Sequence, residues 1–259
     1  MILSRRIVDH FTVIAGFVVL LAVWEAAIVF LRPAPVVLPS PWHTFQALVS
    51  MAHSNEVWAD IGISLFRVAA GFAIAAVMGV PVGMALTRSM FFRDAVAPTL
   101  EGLRFVIPFA WIPIASLWFG LHESGKLFIT WYAAFFVIAF QTEAGFRQVD
   151  ERLVKAAKTL GAGSGELLRK VYLPAAAPMI VTGLRLGLSF AWISILAAEL
   201  VNAKAGIGYF TMNAADFFRS DQAFAAMGVI GVIGFLMDRA FRLLERRMFA
   251  WHRSTDAIQ

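Results

Sequence analysis

The sequence predicts an all-α membrane protein of about six transmembrane helices, and three observations carry that expectation. Of the 259 residues, 60% are hydrophobic and only 15% charged, whereas a soluble chain carries about a quarter charged residues. Apolar runs of the roughly 20 residues that a helix needs to cross the bilayer core recur along the chain. Finally, Lys and Arg crowd the connections on one side of those runs: fifteen on one set against four on the other. Positive charge marks the cytoplasmic side, so both termini are expected in the cytoplasm, with an even number of crossings. The runs leave no room for a separate soluble domain, so residues 1–259 read as a single membrane domain.

The first expected span covers residues 11–31, entered from Arg5 and Arg6. It lacks a small-residue cleavage site and reads as a retained helix rather than a signal peptide. Pro33 and Pro35 then deny the backbone donors a continuing helix would need. Ser40 suits a helix N-cap and Pro41 the first helical position. The short helix they open, to about His53, is too brief to cross and is expected at the interface.

The second span is expected at 58–86, long enough to tilt. The third, 103–119, opens at Arg104 and contains Pro108 and Pro113. Both prolines free backbone groups that are tolerable only inside a bundle or beside a cavity. The fourth to sixth spans are expected at 127–144, 176–200 and 223–243. Gly79 with Gly83, Gly183 with Gly187, and Gly228 with Gly231 and Gly234 recur at helical spacing. Such spacing lets backbones approach closely, within a bundle or across a dimer. Most tryptophans fall near span ends, as interfacial anchors do.

Several chemistries are excluded. The chain has no cysteine, hence no disulfide framework or thiolate metal site, and its five histidines lack metal-ligand spacing. The net charge of +5 is accounted for by topology, which argues against nucleic-acid binding. Residues 120–127 nearly spell a phosphate-binding loop, but Leu127 stands where Ser or Thr would hold Mg²⁺ and no strand precedes it. ATP hydrolysis by this chain is therefore not expected.

Charges within or beside spans are costly unless they face protein or water. Arg67, Arg104, Arg185 and Glu199 qualify. Arg104, Arg185 and Glu199, with Pro108 and Pro113, are the candidate substrate path, because cations beside a cavity favour anions. The alternative for each is a structural ion pair or snorkelling, and Glu199 is placed to pair with Arg67.

The connection at 150–174 is the most informative segment. Residues 151–160 have helical spacing, with Leu153, Ala156, Ala157 and Leu160 on one face. Gly161 can end that helix in a left-handed conformation, Ser164 can cap a second short helix, and Leu173-Pro174 is expected to end it and turn the chain into the membrane. The product is a helical finger expected to expose Leu167, Leu168 and Val171 amid Glu166, Arg169 and Lys170. Such a face suits a groove on a partner or a lipid surface.

The spacing Lys155-Ala156-Ala157, three residues, Gly161, nine residues, Val171, one residue, Leu173-Pro174 resembles the EAA loop of binding-protein-dependent ABC transporter permeases. Lys155 departs from the usual Glu. Leu38-Pro39-Ser40-Pro41, Trp118-Phe119-Gly120, Ala197-Ala198-Glu199-Leu200, Gly206-Ile207-Gly208-Tyr209 and Trp251-His252 resemble the aliphatic sulfonate, taurine and nitrate branch.

The resemblance implies a type I ABC importer permease fold in a bacterial inner membrane and a small anion as substrate. It also implies a second, identical permease copy, two ATP-binding subunits carrying ATP and Mg²⁺, and a periplasmic or lipoprotein substrate-binding protein. No cofactor would be bound by this chain. Residues Lys155, Ala156, Ala157, Gly161, Ala162, Ser164, Glu166, Leu167, Leu168, Arg169, Leu173 and Pro174 would form the ATPase-coupling element. The rival reading is a self-sufficient channel or ion-coupled carrier, which would need an inverted repeat and a mid-membrane ion site. Neither is evident in the sequence, and a membrane enzyme would need a nucleophile-base constellation it lacks.

Overall fold

A computed structural model describes residues 2–248. Trp251 and His252, named above, lie outside the described residues. The described chain is helical almost throughout: α1 Ile2–Leu31, α2 Pro41–Ala52, α3 Asn55–Arg88, α4 Met90–Arg104, α5 Ile112–Phe119, α6 Glu123–Arg147, α7 Glu151–Thr159, α8 Ser164–Leu167, α9 Leu173–Asn202, α10 Ile207–Asp216 and α11 Ser220–Met248. Ser40 caps α2 as expected, its hydroxyl accepting from the His43 N–H at 3.2 Å.

Helix α6 is the axis of the bundle, packed between α3 and α9. Glycine sets the spacing on both sides. Ile138 of α6 is wholly buried, and a Cβ added to Gly79 on α3 or Gly187 on α9 would fall 3.0 and 2.8 Å from its side chain. The expected close approach at Gly79, Gly83, Gly183 and Gly187 is therefore within one chain. Gly228 and Gly231 of α11 meet nothing within 4 Å.

The register fixes direction. Gly71 faces Thr130 and Gly79 faces Ile138, so α3 and α6 run parallel; Gly183 faces Gln141 while Gly187 reaches Ile138, so α9 runs antiparallel to both. Parallel neighbours require the intervening chain to return along the bundle. Helix α4 and the Pro108–Phe119 segment make that return as a pair bent by 91°.

This corrects the expected third span at 103–119, which is not one helix. Pro108 begins a single 3-10 turn and Pro113 lies in the first turn of α5. Ile107, preceding proline, is held extended at φ −61°, ψ 133°, as the proline ring demands of its neighbour. Sequence periodicity also missed α4 and α10. Stretches 58–86, 127–144 and 223–243 each fall within one helix, and 176–200 falls within α9.

Candidate functional site: the finger, an aromatic cavity and a buried ion network

Three features stand out, beginning with the finger. Asp150 caps α7, its carboxylate accepting from the Arg152 N–H at 2.8 Å. At the other end Gly161 adopts φ +83°. Its N–H reaches Lys158 O at 2.9 Å and the Ala162 N–H reaches Ala157 O at 3.0 Å, the paired bonds that close a helix through a left-handed residue. The expected helix stop is where the sequence put it.

Beyond the stop, three expectations change. Ser164 lies in the first turn of α8, not at its cap, which is Gly163. Leu173-Pro174 does not end a helix: Ser164–Val201 runs on as one 38-residue helical stretch. A wide π-turn at Leu168–Tyr172, in which the Leu173 N–H bonds Leu168 O, immediately precedes Pro174, whose missing N–H removes one bond from the ladder of this continuous stretch.

The third change concerns exposure. Leu167 is only 8% exposed, Leu168 packs against the buried cluster of Phe146, Ala176 and Ile180, and Val171 is half-buried. These residues fasten the finger to the bundle because α8 continues into α9 and turns its apolar side inward. On α7, Val154 is the buried contact, which leaves the Leu153, Ala156 and Leu160 face free; Leu160 is 88% exposed. The free face thus comprises Leu160, Gly161, Gly163 to Glu166, Arg169 and Lys170. Lys155 pairs with Glu151 at 3.2 Å and Lys170 with Glu166 at 2.8 Å, both on the surface.

The second feature is a cavity of about 530 Å³ at the bend between α4 and the 3-10 turn, walled by α6 and α9. Arg104 and Pro108 line it, with Phe105, Tyr132, Phe136, Phe140, Gln141 and Phe190. The Arg104 guanidinium stands 4.8 Å from the centre of the Phe140 ring and 5.0 Å from that of Phe105. No carboxylate lies within ion-pair distance of Arg104 among the described residues. Tyr132 Oη donates to Leu103 O at 2.6 Å, fixing the end of α4 against α6.

The other expected path residues lie elsewhere. Pro113 starts α5. Arg185 reaches Asp238 at 3.8 Å and Glu245 at 3.4 Å, tying α9 to α11.

Glu199 belongs to the third feature, an ion network at the end of the bundle remote from the finger. Arg67 Nη1 donates to Glu199 Oε1 at 2.7 Å and to Ala205 O at 2.7 Å, while its Nε and Nη2 reach Glu123 at 2.5 and 2.7 Å. Lys126 Nζ completes the cluster at 2.9 Å from Glu123. Glu199 also accepts from Ser64 Oγ at 2.8 Å and from the Gly208 N–H at 3.0 Å. The Gly206 N–H donates to Asp60 and the Ile207 N–H to Ser64. Together these bonds hold the first turn of α10 against α3 and α9.

Sequence reasoning placed Arg67 beside Glu199 but passed over Glu123, Lys126, Ser64 and Asp60. Glu123 and Lys126 sit in the stretch that nearly spells a phosphate loop. Their three-residue spacing at a helix start was the available signal. Among the described residues, no group of three or more metal-ligating side chains converges.

Comparison with known proteins agrees with this architecture. The family model described as "Binding-protein-dependent transport system inner membrane component" matches residues 71–250. The chain is 34% identical over 255 residues to the taurine transport system permease protein TauC of Escherichia coli, covering 96% of this chain and 92% of that one. It is 34% identical over 236 residues to the putative aliphatic sulfonates transport permease protein SsuC of Bacillus subtilis, covering 91% and 86%. It is also 34% identical over 186 residues to the nitrate import permease protein NrtB of Synechocystis, covering 72% and 68%.

Among solved structures, the inward-facing MetNI methionine ABC transporter matches with a TM-score of 0.64 at 19% identity, over 74% of this chain and 95% of that one. A bacterial ABC transporter that imports the polysaccharide alginate matches at 0.64 and 15%, over 95% and 99%. The fold is that of type I ABC importer permeases, and the chain belongs to the family of binding-protein-dependent transport system inner membrane components, as a permease subunit of an ABC importer.

Proposed function

We propose that this permease imports a small organic anion, a sulfonate before nitrate, and that a separate ATPase drives it through the finger at 150–174. The observation that carries the coupling assignment is the finger's division of faces. Leu167, Leu168 and Val154 pin it to the bundle, while Leu160, Gly161 and Gly163 to Glu166 stand free. Bundle and finger then move as one body when a partner grips the free face. ATP and Mg²⁺ would be held by two ATPase subunits, with both termini of this chain on their side of the membrane. The transport unit would be completed by a second copy of the permease and by a periplasmic or lipoprotein binding protein that delivers substrate.

The substrate class rests on the Arg104 cavity. Its single cation and aromatic walls suit an anionic head on a short apolar body. Charge-assisted bonds from a guanidinium are the stronger kind, and rings offset the loss of water around hydrocarbon. Nitrate lacks a body to fill the walls. Taurine-like zwitterions would bring an ammonium group, and no carboxylate lines the cavity.

The test is purification and reconstitution. A co-purifying ATPase, with ATP-dependent uptake of an alkanesulfonate that persists after ion gradients are collapsed, is the expected result. Uptake without ATP, abolished by an ionophore, would replace this reading with an ion-coupled carrier.

A further inference from the structure

A second cavity, of about 670 Å³, opens at the finger end of the bundle. Arg88 reaches it from the last turn of α3, Arg93 from the first turn of α4, Arg147 from the end of α6, and Lys155 and Lys158 from α7. Five cations thus meet from four helices. Topology alone asks for cations beside the spans; it does not ask that they converge on one hollow.

Part of this charge is already met. Arg147 pairs with Glu143 at 2.6 Å, Lys155 with Glu151 at 3.2 Å, and Arg93 with Asp94 at 3.2 Å. Arg88 and Lys158 have no carboxylate within ion-pair distance among the described residues, so the hollow keeps an excess of positive charge. Its floor is apolar. Phe146 and Tyr172 stack with ring centres 6.1 Å apart and planes 10° from parallel, beside Leu168. A cationic rim over a hydrocarbon floor matches a group that is anionic at one end and greasy at the other.

We propose that this cavity binds a phosphate group, supplied by the headgroup of an anionic phospholipid. The phosphate would sit between Arg88 and Lys158, with the start of the acyl region over Phe146 and Leu168. An anionic lipid surface attracts basic segments within a Debye length; the cavity adds a fixed seat. Because residues of α3 and α6 and residues of α7 and α8 both line the cavity, the bound lipid reinforces the seam that already fastens the finger to the bundle. The site is independent of which substrate the permease carries, and it shares Lys155, Ser164, Leu167 and Leu168 with the finger.

The full-length chain in nanodiscs tests this by thermal unfolding. Phosphatidylglycerol added to phosphatidylcholine discs is expected to raise the midpoint by several degrees. R88Q/K158Q is expected to lose most of that rise and R88K/K158R to keep it, while R246Q/R247Q, at the end of α11, also keeps it. K158Q alone, on an exposed position, should lose part of it. Inorganic phosphate titrated into phosphatidylcholine discs distinguishes the sources: an equal rise there means the seat takes free phosphate. No rise with either ligand, or an equal loss in R246Q/R247Q, overturns the proposal.

Discussion

Arg67 and Glu199 lie 2.7 Å apart with their side chains 3% and 0% exposed, and they join α3 to the last turn of α9. Neither charge has water to solvate it. Removing one member of such a pair costs about 3–5 kcal/mol, because the other is left buried and uncompensated. Glu199→Ala would also strip acceptors from Ser64 and from the Gly208 N–H. It is expected to lower the thermal midpoint in detergent sharply. Glu199→Gln, which still accepts hydrogen bonds, should cost less. Arg67→Met with Glu199→Leu should cost less than the two single changes summed, a coupling that a double-mutant cycle measures directly.

Gly161 offers a cleaner test of the finger. A Cβ there meets nothing within 4 Å, so the only penalty inside this chain is the left-handed backbone, roughly 1–2 kcal/mol for an ordinary residue. Asparagine tolerates that conformation. Gly161→Asn should therefore fold like the parent, whereas Gly161→Glu should lose uptake while ATP hydrolysis continues. Equal uptake by both variants in proteoliposomes would remove Gly161 from the coupling surface.

The two leucines of the finger are expected to part company. Leu160→Asp changes an exposed position and should weaken ATPase co-purification without shifting the thermal midpoint of the permease. Leu167→Asp places a carboxylate at a position only 8% exposed, and should destabilise the finger by about 2 kcal/mol or more. The readout is the pair of values, midpoint and ATPase recovery, for each variant.

Arg104→Gln should lower uptake of an alkanesulfonate by about 10- to 100-fold, the range corresponding to one lost hydrogen bond to a charged group. Arg104→Lys should recover part of it, since charge is kept but the planar fork is not. Insertion and thermal midpoint should stay near those of the parent. Unchanged uptake in Arg104→Gln would make this arginine a structural cation held between two rings.

Much of the fold was legible because lipid imposes length. Runs such as 58–86 and 127–144 announce themselves by composition, and the stop at Gly161 by the need for a left-handed residue. What escaped did so for physical reasons. Helix α4 is amphipathic and carries Arg93, Asp94 and Glu101, so it lacks the continuous apolarity that marks a span. The 91° bend depends on prolines sitting at helix starts, which spacing cannot distinguish from prolines inside one helix. Leu167, Leu168 and Val171, expected to be exposed, turn inward because α8 runs into α9 through a π-turn, and five residues of that geometry rotate the helical faces relative to α-helical spacing. The ion network was half visible: Arg67 and Glu199 are conspicuous in apolar surroundings, whereas Glu123 and Lys126 resemble ordinary loop charges.

The unbroken helical stretch from Ser164 to Val201 has one further consequence. At about 1.5 Å per residue its 38 residues extend roughly 55 Å, with the exposed turn of Ser164 to Glu166 at one tip and Glu199 near the other. A tilt applied at the first tip arrives at the second without passing through any loop. A partner that moved the finger would pull on the same helical stretch that carries Glu199 of the far-end ion cluster, so the two ends of the bundle are joined by one run of helix that includes the π-turn, Pro174 and Pro178.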